Sequence, residues 1–259
     1  MISTEQFAVG ERLGQLNRAS DRVWLLGLAA GIGCTLIAAY LFPYPASASG
    51  KFWAYAGLLI RGGLYLWAGD ALRGRGGETL QRLFLMGLVA GLCELLVDWW
   101  LIHGVSSGRL IYLSGNDVTL LGSPVWMPLA WACVIVELGY PALRLLGATA
   151  MKLGMMRALA LASLLCGAAA GVTVGLYEYF AALAGWWTYA PARVMLGTTC
   201  ALYIPLGESL MFLTLPLLSL PVLIADERPT AAAIVGGARF ALAIAAGYAI
   251  AYFLLESGL

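Results

Sequence analysis

Carboxylates recur inside apolar stretches of this sequence, at Glu94 and Asp98, Glu137, Glu178 and Glu208, and an arginine, Arg61, stands in another such stretch. Ionisable groups are costly in a hydrocarbon setting, so each is a functional candidate by default. Glu94 and Asp98 are four residues apart, which on a helix puts both on one face, one turn apart. Two carboxylates this close in a low dielectric cannot easily both carry charge, so the pair is expected to retain a proton and act as a proton donor. Arg61 lies about 13 Å from either end of its apolar run at 1.5 Å per residue, too deep to snorkel easily. It therefore calls for a carboxylate partner, either as a structural ion pair or as an anchor for a catalytic acid or a polar substrate group. Aromatic residues crowd the same stretches: Trp126, Trp131, Tyr177, Tyr179, Trp186, Trp187, Tyr189, Tyr203 and Phe212. Aromatic faces stabilise cations by roughly 0.5–2 kcal/mol each, which suits a reaction passing through a carbocation. The bland alternative is that these rings are core and interfacial aromatics.

The elements that must hold these groups follow from composition. Of 259 residues, 61% are hydrophobic and 11% charged, and the mean hydropathy is +0.85. A soluble domain is typically about 45–50% apolar and about 25% charged, so this chain reads as an all-α, polytopic integral membrane protein. Seven runs are long enough to cross: 23–43, 52–70, 83–103, 124–146, 157–185, 198–223 and 232–254. A net charge of +1 gives no basic field for nucleic acid. His103 is the single histidine, which excludes a His-rich metal centre and a bis-imidazole haem, so no metal is expected. The five cysteines are scattered without a CxxC and read as small core residues.

Residues 1–22 are expected to form an interfacial helix with Phe7, Leu13 and Leu16 turned to lipid, ahead of a transmembrane domain over 23–259. Ala46-Ser47-Ala48 has the look of a cleavage box, but the apolar run before it is too long for a signal peptide. Eleven Lys or Arg flank the spans on the N-terminal side and three (Lys51, Arg109, Arg193) lie opposite. The positive-inside rule then places the N-terminus in the cytoplasm and the C-terminus outside, in a bacterial-type inner membrane. Asp117, Arg109 and His103 are candidates for the outer mouth of a cavity.

Two stretches echo each other. Leu121-Gly122-Ser123-Pro124 leads to Pro128-Leu129-Ala130-Trp131, and Leu196-Gly197 leads to Ile204-Pro205-Leu206-Gly207-Glu208. Each follows a helix with carboxylates near its outer end. This predicts an internal repeat, with Pro128 and Pro205 kinking their helices to open a cavity.

Gly185-Trp186-Trp187-Thr188-Tyr189, Leu196-Gly197 and Ile204-Pro205-Leu206-Gly207-Glu208-Ser209-Leu210-Met211-Phe212 resemble the lycopene cyclase domain of the small membrane-integral carotenoid cyclases. The stretch from Glu94 through Leu121-Gly122-Ser123-Pro124 to Pro128-Leu129-Ala130-Trp131 resembles the related carotenoid hydratases. The resemblance spans about residues 90–215. It implies a diverged isoprenoid or carotenoid end-group enzyme of carotenoid biosynthesis type, a terpene cyclase (isomerase) or hydratase (lyase), acting by protonation without a redox cofactor. Glu208 matches the second glutamate of the cyclases' Pro-x-Glu-Glu motif, and Gly207 stands in place of the first. On this reading Glu94, Asp98, Glu178 and Glu208 are catalytic. Arg61, Trp126, Trp131, Glu137, Tyr177, Trp187, Tyr189, Tyr203 and Phe212 contact a long apolar isoprenoid or lipid. The alternatives are a noncatalytic lipid- or pigment-binding or accessory subunit, and a small transporter.

Overall fold

The computed structural model describes residues 4–45, 50–113, 117–225 and 228–257; the Ala46-Ser47-Ala48 stretch lies outside the described residues. The architecture is all-α. A short helix α1 (Thr4–Gln15) precedes α2 (Arg18–Leu36), which a π-helical turn extends through Ile37–Leu41. Then come α3 (Gly50–Ala71), α4 (Gly77–His103), α5 (Met127–Leu153), α6 (Met155–Ala184), α7 (Tyr203–Phe212), α8 (Leu215–Ile224) and α9 (Pro229–Leu255). Five of these, α2 with its extension, α4, α5, α6 and α9, are long and apolar enough to cross a membrane. The α7–α8 pair, bent by 40°, makes a sixth if taken as one span. The protein is accordingly an integral membrane protein. α3 is 22 residues long, but Arg61 and its glycines, tyrosines and tryptophans lower its hydropathy, and it falls outside that set.

Local sequence sets the helix ends. Asn17 starts α2 by accepting from the Ala19 amide at 2.8 Å, and the Ser20 hydroxyl accepts from the Asn17 amide at 3.2 Å, a reciprocal cap that satisfies two orphan donors. Gly185 stops α6 in the left-handed region at φ 70°, where a side chain is disfavoured. Large apolar residues such as Leu25, Leu59, Leu96, Leu164 and Leu242 are more than half exposed. In water this would be a liability; in lipid it is the outer surface of the bundle.

Two expectations change. Leu13 and Leu16 are buried rather than turned to lipid. Arg12 bonds Glu78 of α4 at 2.8 Å and Arg144 of α5 reaches the Leu16 carbonyl at 3.0 Å, so α1 is clamped to the bundle and its apolar face turns inward. Phe7's side chain lies outside the described residues. Nor do Pro128 and Pro205 kink their helices. Pro128 is the second residue of α5 and Pro205 the third of α7, positions whose amides have no intrahelical acceptor, so no bond is lost. The bend lies instead at Leu213–Thr214, between α7 and α8.

The two long connections at one end of the bundle form a roof. After α4 come β1 (Leu110–Tyr112) and the hairpin β2 (Thr119–Leu120) and β3 (Ser123–Pro124), then α5. After α6 come β4 (Trp187–Tyr189) and the hairpin β5 (Met195–Leu196) and β6 (Cys200–Ala201), then α7. β1 and β4 pair antiparallel, Leu110 opposite Tyr189 and Tyr112 opposite Trp187. The β2–β3 turn uses Leu121 (φ 57°) and Gly122 (φ 92°), the two positive φ angles of a two-residue hairpin loop.

Candidate functional site

Beneath the roof lies a cavity with about 130 Å³ open to the centre of a water-sized sphere. One water needs roughly 10–15 Å³ on that measure, so the space suits part of an organic molecule. α4, α6 and α7 each contribute acids to its wall: Glu94 and Asp98, Glu178, and Glu208. All four are buried, and among the described residues none forms an ion pair.

Glycine sets the closeness of α4 to α5. A Cβ at Gly91 would stand 2.7 Å from the Pro128 Cα and 2.8 Å from the Trp131 Cβ, so only glycine lets Trp131 lie against the Glu94 face. Glu94 and Asp98 face the same cavity from successive turns of α4, and Trp131 lines it beside them.

The roof supplies donors to the acids. Asp98 Oδ2 accepts from the Tyr112 hydroxyl on β1, and from Ser123 Oγ on β3 at 2.7 Å. Glu178 Oε2 accepts from Trp187 Nε1 on β4 at 2.6 Å. Glu208 Oε1 accepts from the Tyr248 hydroxyl of α9. Glu94 Oε2 and Glu208 Oε2 are buried and have no hydrogen-bond partner among the described residues. A buried polar atom without a partner is costly, and native structures keep few of them, so these two oxygens mark where a ligand donor, a proton or water belongs.

Arg61 also lines the cavity, on the side formed by α2 and α3. Its partner is Glu137 of α5: Nη1 donates to Oε1, while Nε donates to the Gly57 carbonyl at 3.1 Å. Tyr177 donates to Glu137 Oε2 at 3.4 Å, and Trp24 to the Glu137 carbonyl at 3.2 Å. Of the sequence candidates, Glu94, Asp98, Glu178, Glu208, Arg61, Trp126, Trp131, Tyr177, Trp187 and Tyr189 meet at this one cavity.

Three candidates do not line it. Glu137 stands behind Arg61. Tyr203 turns its hydroxyl to the Gly108 carbonyl at 2.9 Å. Phe212 is fully buried and stacks behind Trp131, with ring centroids 6.5 Å apart and planes 9° apart. Of the mouth candidates, Asp117 ties the roof to the bundle, accepting from Tyr55 of α3 and from the Trp126 indole, both at 2.9 Å. The Arg109 carbonyl accepts from the Ala190 amide at 2.8 Å, and His103 packs on Trp99; neither side chain lines the cavity.

Sequence reasoning missed Tyr112, Ser123 and Tyr248, the donors to Asp98 and Glu208. Tyr248 sits in an apolar helix with no motif around it. Ser123 was visible inside the echoed Leu-Gly-Ser-Pro stretch. Missed too was the reason for Gly207: a Cβ there would lie 2.7 Å from Tyr248 Cδ1 and 3.2 Å from its Cα, so a glutamate has no room beside α9.

Residues 95–255 match a protein family described as a domain of unknown function, DUF6989, and the chain belongs to that family. The match runs from the second half of α4 to the end of α9 and takes in Asp98, Glu178, Glu208 and the roof, but not Glu94 or Arg61. No curated protein and no solved structure matches the chain.

Proposed function

We propose that this member of the DUF6989 family is a membrane-integral enzyme that protonates the end group of an isoprenoid. The observation that carries the reading is the convergence of four buried carboxyls, none of them salt-bridged among the described residues, on one aromatic-walled cavity. A carboxyl O–H of the Glu94/Asp98 pair, or of Glu208, gives its proton to one carbon of a terminal C=C bond. The other carbon becomes a tertiary cation. A second double bond then attacks it, forming a C–C bond and a ring, and a neighbouring proton leaves to a carboxylate, with Glu178 the nearest fit to that role. The net change is an isomerisation; capture by water instead gives a hydration. Trp126, Trp131 and Trp187 face the cavity and stabilise the cation while keeping out bulk water.

The same reading takes α3 as a seventh crossing, the N-terminus as cytoplasmic and the roof as outside, by the Lys and Arg bias. It takes α4–β1–β2–β3–α5 and α6–β4–β5–β6–α7 as two copies of one unit. Supporting this are the identical element order and the pairing of β1 with β4 across the junction.

The test is product analysis after co-expression with pathways that supply linear carotenoids or prenylated quinones. A new ring or hydroxyl, lost in Glu208→Gln or Asp98→Asn, supports the reading. Unchanged products with every linear isoprenoid supplied refute it.

A further inference from the structure

The cavity has two chemically different ends. One carries the acids. The other, between α2 and α3, is lined by Arg61 with the small residues Gly31, Cys34, Thr35 and Gly57. α2 passes so close that a Cβ at Gly31 would lie 2.8 Å from Arg61 Nη1. A pure hydrocarbon substrate has no use for a buried guanidinium. Burying one ion pair costs several kcal/mol per ion before the pairing offsets it, and well-packed apolar residues often serve stability as well or better. The pair therefore points to a ligand that hydrogen-bonds to it.

The charge state narrows that ligand. Glu137 already balances Arg61, so this end is neutral overall, and four carboxyls share the cavity. An anion such as a diphosphate or a fatty carboxylate would meet no net positive charge and would face acids. A neutral oxygen acceptor fits instead, taking one of the guanidinium N–H groups. The small residues leave a shallow floor beside it, and Trp53 and Trp126 wall the cavity.

We infer that the Arg61 end binds a neutral, oxygenated head ring of quinone or phenol type, so that the substrate is a prenylated ring compound whose isoprenoid tail reaches the acids. This rests on the reading of the cavity as a substrate site.

The experiment measures binding, not turnover. Purified protein in nanodiscs is titrated with a short-chain prenylated benzoquinone, followed by quenching of the cavity tryptophans. An acyclic isoprenoid hydrocarbon of equal tail length and the matching prenyl diphosphate are then used as competitors. Hydrogen bonds to charged groups make a difference of about tenfold or more. The quinone is expected to bind saturably, with the hydrocarbon and the diphosphate each at least about tenfold weaker. In the double variant Arg61→Met/Glu137→Met, which leaves no unpaired charge, the gap between quinone and hydrocarbon should close.

Equal displacement by the hydrocarbon, tighter binding of the diphosphate, absence of saturable quenching, or a gap unchanged in the double variant each overturns the inference. The wild-type comparison decides without any variant. A quinone that binds selectively but is never converted would refute the proposed chemistry and leave this inference standing.

Discussion

Removing Glu137 alone tests how the Arg61 pair is built into the fold. Both residues are 7% exposed, and no other carboxylate is ion-paired to Arg61 among the described residues. Glu137→Gln keeps the shape and an amide oxygen that can accept from Nη1, beside the Gly57 carbonyl at 3.1 Å, but it leaves the buried guanidinium charge unbalanced. Breaking one side of a buried pair costs about 3–5 kcal/mol. The scale for soluble chains of this size is roughly 2–4 °C per kcal/mol, so the melting temperature in detergent should fall by roughly 10 °C. Arg61→Met/Glu137→Met removes both charges and should return to within about 1–2 kcal/mol of the wild type, because apolar replacement of a buried pair is often near neutral. The assay is loss of the monodisperse peak on size-exclusion chromatography after a temperature series, for Arg61→Met, Glu137→Met, Glu137→Gln, the double variant and the parent. A coupling of 2 kcal/mol or more, by the order of magnitude for contacting residues, supports the argument. If Glu137→Gln melts with the parent, Arg61 is satisfied by something other than Glu137 and the reasoning fails.

Other substitutions probe the site and its supports. Glu208→Gln and Asp98→Asn should each lower turnover by about 10²–10⁴-fold while leaving the folded peak intact, read by product yield per mole of purified protein. Gly207→Ala forces a methyl against Tyr248 and the α9 backbone and should cost about 1–3 kcal/mol, seen as a lower melting temperature. Trp187→Phe takes the indole donor from Glu178 at 2.6 Å and should cost about 1–3 kcal/mol by leaving a buried acceptor short; equal stability of this variant would mean that water already serves Glu178. Leu121→Gly removes a side chain from φ 57° and should raise stability by up to about 1–2 kcal/mol, measured in the same melting series.

The long helices were legible because hydrophobic length alone requires them: each of the seven apolar runs found in the sequence corresponds to a helix or, for 198–223, to the broken pair α7–α8. The bend at Leu213–Thr214 follows from Pro216, the second residue of α8, whose missing amide and ring interrupt the ladder at Phe212, the last residue of α7; Pro128 and Pro205, on which attention fell, sit in first turns where they are harmless. The acids were legible one by one, since an ionisable residue in an apolar run is conspicuous. Their donors were not, and the reason is physical. Tyr112, Ser123 and Trp187 reach Asp98 and Glu178 from roof strands that exist only because β1 pairs with β4 and β2 with β3. Tyr248 reaches Glu208 only because Gly207 lets α9 come close. Hydropathy registers none of these long-range contacts.

The same division separates what holds the two polar ends. At the acid end, neutral hydroxyl and indole donors hold Asp98, Glu178 and Glu208 without cancelling their charge. At the Arg61 end a carboxylate cancels the charge outright. The acid end leaves proton affinity available to a guest, and Glu94 and Glu208 each keep a buried oxygen with no partner among the described residues. Asp117, which ties both Tyr55 and the Trp126 indole, then becomes the joint between roof and cavity wall. Asp117→Ala should free Trp126, shift the tryptophan emission to longer wavelength and admit water to the acids. An emission spectrum identical to that of the parent would mean that packing against Trp186 and Trp187 is enough to keep the roof closed.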